Sequence, residues 1–154
     1  MFHIVLVNPE IPPNTGNIIR LAANLGAWLH LVAPLGFELE DRLLRRAGLD
    51  YHDKVDLQVH DSLAEALSDK PLERSFAVTG GGETCFNAPA YNAGDVFVFG
   101  RESTGLSDAH RALFPPQRRL YIPMRPDNRS INLSNAVAIV AMEAWRQTGF
   151  TGAG

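Results

Sequence analysis

The stretch Ile122-Pro-Met-Arg-Pro-Asp-Asn-Arg-Ser-Ile-Asn-Leu-Ser-Asn-Ala-Val-Ala-Ile-Val-Ala-Met-Glu-Ala-Trp145 decides how the chain is read. It closes a short apolar strand, crosses a polar loop carrying Arg125 and Arg129, and enters a helix whose first turn is expected to hold Ser130, Asn132, Ser134 and Asn135. From Ala136 to Met142 no residue is polar. A helix apolar on nearly every side must be covered on nearly every side. This one is therefore expected to be wedged between its own domain and a second body, such as another copy of the chain, with the preceding loop facing a ligand.

Working back from that stretch, apolar runs of strand length alternate with helical patterns. Met1 to Val7, Leu29 to Val32, Asp56 to His60, Ser75 to Thr79, Asp95 to Phe99 and Arg119 to Ile122 read as strands. Ile18, Leu21, Ala22 and Leu25 recur at helical spacing, with Asn14 or Thr15 as the expected cap and Gly26 as the stop; the three prolines before them predict an irregular loop. Asn17, Arg20 and Asn24 form a polar stripe on that helix. Further helices are expected from Asp41 to Ala47, ended by Gly48, after the capping box Ser62-Leu-Ala-Glu65, and after Ser107. Strand and helix in alternation with short loops predict an α/β fold, a parallel sheet with helices on both faces. In such sheets ligands bind beyond the carboxyl ends of the strands. The loops after Thr79, Phe99 and Ile122 all leave from that edge and can converge on one small molecule. Gly80-Gly-Gly82 in the first of them permits close backbone approach, but it lacks the lysine of a phosphate loop and the spacing of a dinucleotide fingerprint.

With 154 residues, 45% of them hydrophobic, the chain is sized for one domain, 1–154, with its own core. The first twenty residues include Glu10 and Arg20 and no long apolar run, which predicts a soluble cytoplasmic protein without a membrane span. The single cysteine, Cys85, suits a reducing compartment and reads as a filler, since nothing near it in sequence supplies a base. A net charge of −3 speaks against coating nucleic acid by bulk electrostatics. Twelve of the fourteen basic residues are arginine, the side chain suited to bidentate contact with phosphate or carboxylate, although a high-GC coding bias gives the same composition. The five histidines have no metal-ligand spacing, and no nucleophile elbow is present, so neither a metal site nor a serine hydrolase is expected. What remains is a site rich in arginine and asparagine with one candidate carboxylate, Glu102.

Three segments, Asn14-Thr-Gly-Asn-Ile-Ile-Arg20, Phe99-Gly-Arg-Glu-Ser-Thr-Gly-Leu106 and Ile122-Pro-Met through Ser130-Ile-Asn-Leu-Ser-Asn-Ala136, resemble in order and spacing the motifs of the SPOUT methyltransferases. The similarity runs the length of the chain, includes Arg45 to His52, and is greatest to the branch that methylates the ribose 2′-hydroxyl of the tRNA wobble nucleotide. The resemblance implies a carboxyl-terminal trefoil knot, S-adenosylmethionine as cofactor with S-adenosylhomocysteine as product, no metal, and a homodimer joined through the first and last helices. Carried over by position, it implies that Val78, Gly80, Gly100, Ile122, Met124, Ser130 and Leu133 line the cofactor pocket. It likewise implies that Arg20, Asn14, Glu102, Ser130 and Asn132 are catalytic, Arg20 acting on the cofactor of the partner subunit. Arg101 departs from the family pattern, which has proline there, and Ser103-Thr104 differ as well.

A guanidinium stays protonated in proteins. Arg20 is therefore expected to hold a phosphate and stabilise a developing alkoxide rather than to act as a base. Arg42, Arg45, Arg46, Arg125 and Arg129 form a candidate rim for the anticodon loop of tRNA, or pair with neighbouring carboxylates. Two other readings stay open from the sequence: methylation of a base or of another RNA position, and a catalytically silent RNA-binding domain.

Overall fold

The computed structural model describes residues 1–42, 46 and 54–154. Seven strands form one parallel sheet: β1 His3–Val7, β2 Trp28–Val32, β3 Leu57–His60, β4 Ser75–Val78, β5 Thr84–Cys85, β6 Val96–Phe99 and β7 Arg119–Tyr121, in the order β3-β2-β1-β6-β4-β7-β5. The two-residue β5, which hydrophobic patterning does not reveal, extends the edge beside β7. Among the described residues the helices with defined bounds are α1 Pro12–Leu25, α2 Leu63–Leu67, α3 Asp108–Arg111 and α4 Leu133–Gln147. The helix expected over residues 41–47, and the segment 45–52 with Arg45, fall largely outside the described residues. Arg42 and Arg46 are described and are exposed.

The period of two in each strand divides the core into two layers. Ile4 and Leu6 of β1, Leu29 and Leu31 of β2, Phe76 of β4, and Phe97 and Phe99 of β6 face α1 and α4, meeting Ile18, Ile19 and Ala22 of the first and Leu133, Val137, Val140 and Ala144 of the second. Val5, Val7, Val32, Ala77, Val96 and Val98 face the opposite way, under Leu63 and Ala66 of α2 and under Leu106 and Phe114. Helices thus cover both faces, as the alternation predicts. Among its alanines α4 carries Val137, Ile139 and Val140, and β-branched residues are weaker helix formers than alanine. At about 1.5–3 kcal/mol per fully buried aliphatic side chain, Val137 and Val140 supply the tertiary stabilisation that overrides that propensity. The burial of α4 is one-sided within a single chain: Ala138 and Ile139 are only partly covered, and Met142 is 41% exposed.

Two boundaries differ from the expectation. α1 begins at Pro12 with Ile11 as its N-cap, so Asn14 and Thr15 are buried residues of its first turn rather than caps, and two of the three prolines sit inside the helix. Proline suits the first positions of a helix, where its missing N–H has no intrahelical acceptor to lose. α4 is capped by Asn132, which places Ser130 in the preceding loop and not in the helix. The expected caps at Ser62 and Ser107 are present: each hydroxyl accepts from the backbone N–H three residues on, at 3.1 and 3.2 Å, and Gly26 ends α1 in the left-handed conformation.

On the valine-bearing face, three histidines form a ladder across β1, β2 and β3. His3 Nδ1 lies 3.0 Å from His30 Nε2, and His30 Nδ1 lies 3.0 Å from His60 Nε2. Burial, reinforced by the Lys70 ammonium, pushes the His3 pKa down to about 4 and that of His30 down to about 3.

Candidate active site

The carboxyl ends of β1, β4, β6 and β7 open on one cavity of about 670 Å³, within the about 300–1,000 Å³ span of small-molecule sites. The loop after β6 is its most constrained wall. A Cβ on Gly100 would lie 2.1 Å from the Gly105 carbonyl carbon, so only glycine fits there. The turn closes with Gly105 N–H donating to the Arg101 carbonyl at 2.9 Å, and Arg101 Nη2 reaches Asn8 Oδ1 at 3.1 Å.

That tight turn delivers Glu102 to the start of α1. Its carboxylate accepts from the Glu10 N–H at 2.7 Å, the Ile11 N–H at 3.0 Å and Asn14 Nδ2 at 3.3 Å. Ile11 has no side chain to cap the helix; a carboxylate from about ninety residues away does so, where the helix dipole favours negative charge. Glu10 returns the contact, its Oε1 accepting from Ser103 N–H at 3.0 Å and Ser103 Oγ at 2.6 Å. Those bonds hold the Glu10 carboxyl below the usual carboxylate range.

From Asn14 the network continues into α4. Asn132 Nδ2 donates to Asn14 Oδ1 at 3.0 Å, while Asn132 Oδ1 accepts from Ser134 N–H at 2.9 Å, Asn135 N–H at 3.3 Å and Ser134 Oγ at 2.6 Å. One continuous chain of polar side chains, Glu102–Asn14–Asn132, therefore ties the β6 loop to the first turns of α1 and α4. Every lone pair it spends on positioning is one not available to a substrate.

The structure brings Val78, Gly80, Gly100, Ile122, Met124, Ser130 and Leu133 to the wall of this cavity, together with Asn14, Glu102 and Asn132. Arg20 is not among the lining residues; it lies on the exposed stripe of α1 with Asn17 and Asn24. Arg125 and Arg129 are exposed, and Arg129 borders the cavity. Two residues escape a sequence reading. Glu10 is missed because its partner Ser103 is remote in sequence, and Arg111, on the cavity wall, because a four-residue helix carries no readable period. Among the described residues, no group of three His, Cys, Asp or Glu side chains is placed to hold a metal ion, and no helix is long and apolar enough to cross a membrane.

The cavity suits an adenosyl-amino-acid ligand. Val78, Ile122, Met124 and Leu133 supply apolar contact, and the Gly80 Cα has no other atom within 4 Å of where a side chain would begin, leaving backbone open to a ligand.

A parallel α/β sheet with a ligand cavity at its strand ends, walled by a glycine-pinned turn and an amide chain, defines the class. The chain belongs to the SpoU rRNA Methylase family, which it matches over residues 1–142. It is 55% identical over 155 residues to a tRNA (cytidine(34)-2′-O)-methyltransferase of Burkholderia pseudomallei (strain 1106a), covering 99% of each chain. It is 56% identical over 152 residues to the protein of the same description from Acidovorax sp. (strain JS42), covering 97% of this chain and 94% of that one. A solved structure described as "Structural insights into the 2-OH methylation of C/U34 on tRNA" superposes with a TM-score of 0.91 at 47% identity, covering 97% of both chains. The SpoU methyltransferase AviRb from Streptomyces viridochromogenes, described in complex with AdoMet, shares the fold at a TM-score of 0.85 and 24% identity, over 97% of this chain and 58% of that one. The SPOUT resemblance read from the three motifs is borne out, and so is the α/β parallel sheet.

Proposed function

We propose that this protein is a tRNA methyltransferase that transfers the methyl group of S-adenosylmethionine to the ribose 2′-hydroxyl of the wobble nucleotide, working in the cytoplasm as a homodimer. The observation that carries the proposal is the Glu102–Asn14–Asn132 chain, which walls a cofactor-sized cavity in a chain similar from end to end to methyltransferases of that description. Catalytic silence gives no reason for that chain to be complete, and base methylation finds no support among these full-length relatives.

When bound, S-adenosylmethionine supplies an electrophilic methyl group on a sulfonium. The chain's own part is to bind, align and manage charge. Val78, Gly80, Gly100, Ile122, Met124, Ser130 and Leu133 hold the cofactor. Glu102 acts as a clamp, since its oxygens already accept three hydrogen bonds. Asn14 and Asn132 fix the two helix starts that flank the reacting atoms, and Ser130, exposed on the cavity wall and outside that network, meets the incoming ribose.

Arg20 completes the site from the partner subunit, holding the phosphate beside the target ribose and stabilising the alkoxide as its proton leaves to phosphate or water. Two features support a dimer across α1 and α4: the partly covered Ala138, Ile139 and Met142 surface, and the placing of Arg20 on the exposed stripe away from its own chain's cavity. The trefoil knot of the SPOUT pattern belongs to the same proposal. The test is transfer of labelled methyl from S-adenosylmethionine to bulk tRNA, followed by nucleoside mass spectrometry. Methylated ribose is expected; a methylated base, or no transfer, contradicts the proposal.

A further inference from the structure

The three glycines after β4 differ in what holds them. A Cβ at Gly82 would meet backbone, 2.6 Å from the Leu120 carbonyl carbon and 2.7 Å from the Arg119 oxygen. The three atoms nearest a Cβ at Gly81 all belong to one side chain: Arg111 Nη2 at 2.8 Å, Cζ at 3.5 Å and Nη1 at 3.6 Å. The Arg111 guanidinium therefore rests on the bare Cα of Gly81, and both residues line the cavity.

Arg111 is under-used by the protein. Among the described residues its one side-chain hydrogen bond is a long one, from Nη2 to the Gly81 carbonyl at 3.3 Å. Its Nε is buried with no acceptor within reach. Among the described residues it joins no ion pair; those belong to Lys70, Arg74, Arg119 and Arg146. A guanidinium has five N–H donors in a planar fork, and leaving them unmet in a half-buried position is costly. The cavity's own carboxylate, Glu102, is committed to α1. The wall thus offers a cation with spare donors and no protein anion to meet it.

We infer that Arg111 binds the carboxylate of the methionine part of S-adenosylmethionine, an inference that rests on the reading of this cavity as the cofactor site. That carboxylate is the one anionic group of a molecule whose sulfonium and ammonium are both positive, and a carboxylate matches the planar fork of arginine. A phosphate of the RNA is the weaker fit. Arg111 is half-buried on the wall, whereas Arg101 and Arg129 are exposed and stand where a polynucleotide arrives first. Gly81 has a defined part in this: it leaves the space in which the guanidinium lies.

The test is calorimetric binding of S-adenosylhomocysteine, and of S-adenosyl-3-thiopropylamine, which lacks only the carboxylate, to the wild type, Arg111→Ala, Arg111→Lys and Gly81→Ala, each verified as folded by its melting transition. Arg111→Ala is expected to weaken S-adenosylhomocysteine by about 10- to 100-fold, as loss of a charge-assisted pair implies. The carboxylate-free ligand should change by less than about 2-fold on the same grounds. Arg111→Lys should fall between, and Gly81→Ala, which shifts the guanidinium without removing it, should weaken binding less than Arg111→Ala does. If the wild type binds S-adenosylhomocysteine and Arg111→Ala binds it equally well, the inference fails and the cofactor reading stands. Equal losses for the two ligands make Arg111 a packing residue and overturn the inference. Unchanged cofactor affinity with weakened tRNA affinity assigns it to phosphate instead, and overturns it too. A wild type that binds neither ligand refutes the cofactor reading itself.

Discussion

Replacing Glu102 by glutamine separates two roles that a carboxylate beside a reacting hydroxyl can have. In the structure Oε2 accepts from the Glu10 N–H, and Oε1 accepts from the Ile11 N–H and Asn14 Nδ2. An amide has one oxygen, so in either orientation its NH₂ confronts at least one of these donors and leaves it unpaired. A hydrogen bond to a charged group contributes about 1.5–3 kcal/mol net, and an anion at a helix N-terminus adds about 0.3–1 kcal/mol. Partial exposure puts the total towards the lower end, about 2 kcal/mol. Glu102→Gln is therefore expected to lower the urea midpoint by the equivalent of about 2 kcal/mol at unchanged m-value. Turnover should fall in parallel, because Asn14 loses its anchor and Asn132 loses alignment with it. Equilibrium unfolding and single-turnover methyl transfer on the same preparation give both quantities. Wild-type stability and wild-type S-adenosylhomocysteine affinity, combined with lost turnover, would refute the clamp and make Glu102 a proton acceptor.

Three further outcomes are expected. Arg129→Ala should weaken tRNA binding and reduce the slope of log affinity against log salt by about one; an unchanged slope removes Arg129 from the footprint. Mixing Arg20→Ala subunits with subunits inactivated at the cofactor cavity by Gly100→Ala should restore about a quarter of wild-type activity if Arg20 acts across the dimer, since half the random dimers hold one complete site of two; no restoration places Arg20 in its own subunit's site. The third outcome concerns pH. His3 and His30 have folded-state pKa values of about 4 and about 3, below the ordinary 6.5. The unfolded chain then binds more protons between those values, so their contribution is complete above about pH 6.5 and is lost as pH falls towards 4, at up to about 1.4 kcal/mol per pH unit for a buried ring. Urea unfolding at pH 7, 5.5 and 4.5 should show this loss, and His30→Gln should flatten it; a parallel profile in the variant would exclude the ladder as its source.

Much of the fold was legible because it is local. The continuous apolar runs in His3–Val7 and Val96–Phe99 mark strands buried on both faces, and the polar-free run from Ala136 marks a helix that needs cover on more than one side. The convergence of loops at the strand ends followed from the parallel order alone. What was not legible depends on residues far apart in sequence. α1 begins at Pro12 because Glu102 caps it from the β6 loop, and no local pattern announces that; a proline-rich segment by itself reads as a loop. The sequence does not separate Ser130 from α4, because the cap there, Asn132, is one of several polar candidates in a row. Arg111 carried no signal at all, since its meaning lies in its contact with Gly81. The knot proposed from the SPOUT pattern is a matter of threading, on which periodicity and propensity are silent.

The most direct measurement compares two anticodon stem-loops that differ by one oxygen, one native and one carrying a 2′-deoxyribose at the wobble nucleotide, as acceptors of labelled methyl from S-adenosylmethionine. Label on the native stem-loop and none on the deoxy one is the expected result; label on both would show that the methyl group goes somewhere other than that ribose hydroxyl.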